Sequence, residues 1–356
     1  MPGPRLTIDL SKILHNVETV RALYGRRGVG ITGVTKAVLG WPEVARTFVR
    51  GGIGTLGDSR LENLERLRAA GVEARLVLLR TPPSAAEEVV RLADVSLNTE
   101  LKTLRALSAA SAAAGRLHRV LLMVEMGDLR EGVPPADLPR LFAAASDLPG
   151  LEVIGIGCNL ACYGGIAPDD ANMAALSALA ADLETAFGRR LEVVSGGNSA
   201  NHGWLTATAA PGRINDLRLG ELLLLGRETL ERRPVPGLHT DAFTLTAEVI
   251  EANVKPTVPR GTRCQDAFGG SPVFIDRGDR RRAIVALGRQ DTWVPGLSPR
   301  GDLSILGASS DHVILDAGRQ PLEVGDEVEL DLDYAALLAA MTSPFVRKVV
   351  LPAGAG

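Results

Sequence analysis

From Val29 to Leu219 the chain alternates short β-branched or aliphatic runs with amphipathic helical stretches. That alternation limits the fold more than any other feature. A strand followed by a helix-length crossover can return only as a parallel neighbour, so successive units build a parallel sheet covered by helices. The runs are Val29–Thr35, Ile53–Gly57, Arg75–Leu79, Asp94–Leu97, Arg119–Val124, Leu151–Gly157, Leu191–Val194 and Ile214–Leu219. Seven helical patterns separate them, and another begins at Glu221. Asn98-Thr99 reads as a helix N-cap, Gly115 as the residue past a helix end, and Pro168-Asp169-Asp170 as a helix start. Eight such units predict a TIM-type (β/α)8 barrel. Because strand counting does not show closure, a doubly wound open sheet is the alternative. A segment Arg5–Leu10, followed by a helix from about Ser11, precedes the first barrel strand.

The texture changes after Arg232-Arg233-Pro234-Val235-Pro236-Gly237. Strand patterns at Phe243–Val249, Ala283–Leu287 and Glu327–Leu332 alternate with turns such as Arg277-Gly278-Asp279 and Val324-Gly325-Asp326. One short helix fits at Tyr334–Met341. The expectation is two domains: a barrel over residues 1–236 and a C-terminal antiparallel β domain over 237–356.

The net charge of −3 gives no basic footprint for nucleic acid. The longest aliphatic run, Leu219–Gly226, is too short to span a membrane and is broken by Glu221. Met1-Pro2-Gly3-Pro4-Arg5 is followed by no apolar signal core. Cys158, Cys162 and Cys264 are sparse and odd in number, which suits a reducing cytoplasm. The Cys158–Cys162 spacing lacks a second pair or histidine for a zinc site. Two small buried residues are the simpler reading, and no metal is expected.

Active sites in βα barrels lie at the C-terminal ends of the strands. Here those ends carry Lys36, Asp58-Ser59-Arg60, Arg80, Asn98, Glu125 with the loop through Asp128, Arg130 and Glu131, and Cys158-Asn159. The seventh and eighth runs end in Ser195-Gly196-Gly197-Asn198-Ser199 and Arg218-Leu219-Gly220-Glu221. The chain has only five lysines, so Lys36 is not what this composition supplies by default. An ammonium at the mouth of a buried strand is expected to lose solvation and to become a competent Schiff-base nucleophile. The alternative is a snorkelling side chain with its head in water. The Ser-Gly-Gly-Asn-Ser loop offers hydroxyls and open backbone N–H groups to a phosphate, or forms a plain turn. A phosphate cradle opposite such a lysine suits pyridoxal 5′-phosphate.

These segments resemble the alanine/ornithine racemase family of fold-type III pyridoxal-phosphate enzymes: Val-Thr-Lys36, Gly-Asp-Leu-Arg130-Glu-Gly, Ser-Gly-Gly-Asn-Ser-Ala and Arg218-Leu-Gly-Glu. Asp241–Leu245, Gly288–Asp291, Gly307–His312 and Met341–Pro344 continue the likeness. The resemblance implies an amino-acid racemase, cytoplasmic, working as a homodimer whose sites take residues from both chains. It implies that Lys36 holds the cofactor and acts as one acid/base. The phosphate would fall to Ser199 and the backbones of Gly220 and Glu221, with Ser195 and Asn198 in the same loop. Arg218 would meet the pyridine nitrogen and Asn159 lie beside the ring. Arg130 would meet the cofactor's phenolic oxygen or the substrate carboxylate. Where alanine racemases carry a partner-chain Tyr as the opposite-face base, this chain has Arg289, a group suited to gripping a carboxylate. Asp291, His312 and Cys264 are then candidates for the second base, and His312 alone ordinarily titrates near neutrality. Ornithine or an alanine-like amino acid is the expected substrate, with Asp58, Glu125 and Asp128 as candidates for a distal ammonium. Other readings are a D-amino-acid lyase of the D-threonine aldolase or D-serine dehydratase type, and a non-catalytic cofactor carrier.

Overall fold

A computed structural model describes residues 3–354. Its contacts divide the chain into two units. One runs from Leu10 to Thr240; the other joins the residues up to Asp9 with Asp241–Pro352. The division therefore falls four residues beyond the expected Pro236, and the first strand, β1 (Arg5–Asp9), belongs with the C-terminal unit.

The first unit is a closed parallel barrel. Its strands are β2 (Gly30–Val34), β3 (Thr55–Asp58), β4 (Arg75–Leu78), β5 (Val95–Asn98), β6 (His118–Met123), β7 (Leu151–Gly157), β8 (Val193–Ser195) and β9 (Asp216–Leu219). All eight expected strands are present. β9 pairs with β2 from Gly30–Asp216 to Gly33–Leu219, which removes the open-sheet alternative. The helices start and stop where local chemistry directs. Asp169 and Asn172 form a reciprocal capping box ahead of Asp170–Phe187, and Gly115 and Gly188 end their helices in the left-handed region. Asn98 is not a cap. It ends β5 with its side chain turned into the barrel unit, and the next helix begins at Leu101.

Val77, Val95, Leu97, Leu121, Met123 and Ile154 form a buried cluster from β4 to β7. β7 holds one more residue than its partner: Val120 pairs with Val153 and Leu121 with Gly155, so Ile154 is the extra residue of a bulge. Beside it Gly155 faces Val193 of β8 so closely that an added Cβ would fall on the Val193 carbonyl oxygen.

The second unit is built on one long strand, β10 (Phe243–Pro256), bent at an irregularity between Val249 and Glu251. Its first half pairs with β1 and with β15 (Glu327–Leu332), its second half with β11 (Asp279–Val285). The remaining strands are β12 (Leu297–Pro299), β13 (Ser304–Ala308), β14 (Val313–Asp316) and β16 (Arg347–Leu351). The order is β12-β15-β10-β11-β14-β13. All of these pairs are antiparallel. β1 adds the exception, pairing parallel with β16. Alternation buries Leu6 and Ile8 of β1, which makes this N-terminal strand an integral part of the sheet. The helix Tyr334–Thr342 is capped by Asp333, whose carboxylate accepts from the Ala336 N–H.

Gly155→Ala should lower unfolding free energy by about 3 kcal/mol, because a backbone oxygen cannot rotate out of the way as a side chain would. Chemical denaturation checks this; a loss within a few tenths would show that β7 and β8 separate freely.

Candidate active site

Lys36 is half-buried and opens a short 3-10 turn, Lys36–Val38, directly after β2. The residue before it is fixed from below. Thr35 Oγ1 donates to Asp58 Oδ2 at 2.8 Å, and Asp58 also accepts from Asn63 Nδ2 at 2.9 Å and the Arg60 N–H at 3.1 Å. Asp58 is wholly buried, and burial raises its carboxyl pKa against the pull of these bonds.

Across the barrel seam, Arg218 at the end of β9 is buried and tied down twice. Its Nη1 donates to Ser195 Oγ at 2.6 Å and its Nη2 to the Cys158 carbonyl at 2.6 Å. Ser195 Oγ passes its own proton towards Asp216 Oδ2 at 2.5 Å, and Thr32 Oγ1 donates to Asp216 Oδ1 at 2.8 Å. Asp216 lines an internal cavity of about 70 Å³ beneath the mouth, and burial pushes its carboxyl pKa up. The Ser195 hydroxyl is thus spent inside the barrel on Arg218 and Asp216, not on a phosphate. Asp216 and Thr32 were not legible as site residues. Their only signal was a polar position in each of two barrel strands, β9 carrying Arg218 as well.

The loops after β8 and β9 converge. The Leu222 N–H donates to Ser199 Oγ at 3.2 Å. Gly197 adopts φ +138°, where a side chain would collide with Asn201 Oδ1. Asn198 braces this loop: its Nδ2 donates to the Leu160 carbonyl at 2.8 Å and to Asn159 Oδ1 at 3.2 Å, while its Oδ1 accepts from the Ala200 N–H. Asn198 therefore shapes the cradle from behind. The Glu221 side chain pairs with Arg232 at 2.7 Å. Among the described residues Asn159 Nδ2 is a buried donor without an acceptor. A bound group that accepts there, flanked by Arg218, Ser199 and an amine, fits a phosphorylated pyridine aldehyde.

Arg130 meets Glu131 through two bonds, Nε to Oε2 at 2.6 Å and Nη2 to Oε1 at 2.5 Å, and Arg80 closes on the same carboxylate. Burial opposes the Glu131 charge, but the two guanidiniums overcome it and hold its pKa below the ordinary range. Glu131 was missed because it looked like one more loop charge. The candidates for a distal ammonium are engaged elsewhere. Asp58 is committed as described. Asp128 is buried and accepts from the Cys162, Tyr163 and Ile166 N–H groups. Glu125 Oε1 accepts from the Gly127 and Leu129 N–H groups. All three fold loops. Cys158 is buried with its thiol pKa pushed up to about 12 by burial, whereas Cys162 is exposed, contrary to expectation.

Arg289, Asp291 and His312 lie in the β unit, where two loops hold them near one another. The Arg289 and Gln290 N–H groups donate to the Ser309 and Ser310 carbonyls. Asp291 Oδ2 accepts from the Gly288 N–H at 2.7 Å, and burial raises its pKa. Arg289 is exposed, its guanidinium 3.8 Å over the Phe268 ring centre. His312 Nδ1 lies 3.4 Å from Asp311 Oδ1. Cys264 is exposed.

The sequence model of the alanine racemase N-terminal domain matches residues 8–227. An ornithine racemase of Acetoanaerobium sticklandii is 38% identical, the match covering 98% of this chain and 99% of the relative. A lysine racemase of Thermotoga maritima is 40% identical over 99% of each. The crystal structure of alanine racemase from Bartonella henselae with covalently bound pyridoxal phosphate superposes with a TM-score of 0.74 at 19% identity, covering 99% of this chain and all, 100%, of that one. Among the described residues no helix is long and apolar enough to cross a membrane.

The barrel wall also holds a buried histidine. His118 Nε2 lies 2.8 Å from Ser96 Oγ, and burial lowers the ring pKa from 6.5 to about 4. Unfolded chains therefore bind a proton below pH 6.5 that the native chain refuses until about pH 4. This ring's contribution should lower stability by on the order of 3 kcal/mol as pH drops through that window and be constant above it. His118→Gln should flatten the slope. Denaturation series at several pH values test this, and parallel curves for the two proteins would refute it.

Proposed function

The chain belongs to the alanine racemase family, and on that footing we propose that it is a pyridoxal-phosphate-dependent racemase of amino acids whose side chain ends in an ammonium, ornithine or lysine. The observation that carries this reading is the convergence of Lys36, Arg218 with its bonds to Ser195 and Cys158, and the unpartnered Asn159 Nδ2 on one barrel mouth. The full-length likeness to an ornithine racemase and a lysine racemase supplies the substrate class. It also disfavours a carrier, which would lack the β unit, and a lyase.

When bound, the cofactor acidifies the α-hydrogen of an amino acid by delocalising the electron pair left behind. Lys36 anchors the cofactor covalently and moves the proton at the α-carbon on one face. Ser199 and the backbone of Gly220 and Glu221 would hold the phosphate, and Asn159 would donate beside the ring. Arg218, held by Ser195 and the Cys158 carbonyl, would meet the pyridine nitrogen. A guanidinium does not hand over its proton, so with the cofactor bound it would leave that nitrogen unprotonated. Arg130, steadied by Glu131, holds the phenolic oxygen or the substrate carboxylate. A second copy of the chain contributes its β unit: Arg289 grips the carboxylate, and His312 carries the proton on the opposite face. Asp291 positions their loop.

Purified protein should absorb at the wavelength of a lysine-bound cofactor, the band should be trapped by borohydride, and Lys36→Ala should lose it. In deuterated water the α-hydrogen of both enantiomers of ornithine or lysine should exchange. Bound cofactor without exchange from either would reject the activity; no band even after adding pyridoxal phosphate would reject the cofactor.

The shared site has its own readout. Lys36→Ala and Arg289→Ala should each be inactive alone, and mixing after dissociation should restore about a quarter of wild-type activity, since half the dimers would then carry one intact site. No recovery, with mixed dimers demonstrated, would confine each site to one chain.

A further inference from the structure

Between the ends of β4, β5 and β6 the barrel mouth holds a cavity of about 220 Å³, of whose lining only Glu131 has a role above. Leu79, Leu97 and Met123 give it apolar walls, while Arg80, Thr81, Asn98, Glu100 and Glu131 give it polar ones. Two polar atoms of these lining residues, Asn98 Oδ1 and Thr81 Oγ1, are buried with no partner among the described residues. Asn98 is 4% exposed and Thr81 9%.

The Asn98 amide cannot turn over to hide its oxygen. Its Nδ2 donates to the Ser96 carbonyl at 3.0 Å and to Ser96 Oγ at 2.9 Å, and a flipped amide would set oxygen against that carbonyl oxygen. Ser96 Oγ is itself held by His118 Nε2 at 2.8 Å. Having accepted from Asn98, Ser96 turns its own proton to the ring of a neutral His118. Three buried side chains thus hold one carbonyl oxygen where no protein donor among the described residues satisfies it.

That ligand must donate. Of the charged residues on the wall, Arg80 is already closed on Glu131, and Glu100 adds an exposed carboxylate. A carboxylate-bearing ligand would find no uncommitted cation here and would leave Asn98 Oδ1 facing another acceptor. An ammonium brings three donors, enough for Asn98 Oδ1, Thr81 Oγ1 and a carboxylate oxygen. The apolar walls suit the methylenes behind it.

We propose that this cavity receives the distal ammonium of the substrate, with Asn98 Oδ1 as its principal acceptor and Thr81 Oγ1 as the second. The assignment rests on the racemase reading and replaces Asp58, Glu125 and Asp128 as the source of specificity.

Ornithine and norvaline share a carbon skeleton and differ in the terminal amine. With the cofactor-loaded enzyme, Asn98→Leu should lower the ornithine-over-norvaline ratio of kcat/KM by at least about tenfold, chiefly through the ornithine KM, and Thr81→Val should lower it by less. An unchanged ratio in both variants overturns the proposal. Calorimetric titration with 1,4-diaminobutane reads the cavity without turnover. Heat that is present in the wild type and lost in Asn98→Leu supports the site. No heat with the wild type, or equal heat in both, overturns it. Amine binding that depends on Asn98 in a protein that racemises nothing would reject the racemase reading and leave the cavity's ligand class standing.

Discussion

Everything in the barrel unit depends on the pairing of β9 with β2. That ladder joins residues at the two ends of the unit and sets Thr32 opposite Arg218. Long-range parallel pairings are entropically costly to close, and nothing short of a ring gives every strand two neighbours. Once the ring exists, all eight strand ends face one way. Lys36, Asn98, Asn159 and Arg218 then share a mouth although they are dispersed along the chain. The same pairing brings Thr32 to Asp216, so a polar layer lies across the seam where an apolar one would pack more simply. A buried carboxylate is expensive unless it is hydrogen-bonded, and here two hydroxyls and a nearby guanidinium supply the compensation.

Charge at the mouth divides into two kinds. Asp58, Asp128 and Glu125 point their oxygens at backbone N–H groups and at short polar side chains. Such bonds fix loops. Glu131 instead sits between two arginines, and Arg218 between Ser195 and a carbonyl. Those bonds aim guanidiniums. A carboxylate at a strand end therefore says little until its partners are known. That is why three plausible ammonium binders turned out to be loop braces, while the unpartnered acceptors of the cavity lining, among the described residues, belong to the neutral Asn98 and Thr81.

The repeat of strand and crossover made the barrel readable, because parallel pairing leaves few ways to arrange eight such units. Lys36 stood out because lysine is rare in this chain, whereas Arg218 and Ser199 drew attention by standing at or just past strand ends. What stayed hidden depended on partners far away in sequence. β1 reads as an ordinary alternating strand, and nothing local says that it pairs with β10 and β16. Ser195 reads as a phosphate ligand by its neighbours, yet Asp216, 21 residues later, takes its proton. Asn98 followed by Thr99 has the chemistry of a helix cap, but β5 carries one residue further than expected and turns the side chain inward.

In the proposed ammonium site, the relay from His118 through Ser96 to Asn98 ties specificity to stability. Each group is buried, and each is satisfied except the last. A leucine at position 98 would remove the unsatisfied oxygen but also the two bonds its amide nitrogen gives to Ser96, so the asparagine carries one unmet acceptor in the absence of ligand. Such unmet groups concentrate at binding sites, where the missing partner arrives with the substrate. The low pKa of His118 belongs to the same design. A ring that refuses a proton down to about pH 4 keeps accepting from Ser96, so the carbonyl of Asn98 keeps its direction across the neutral range.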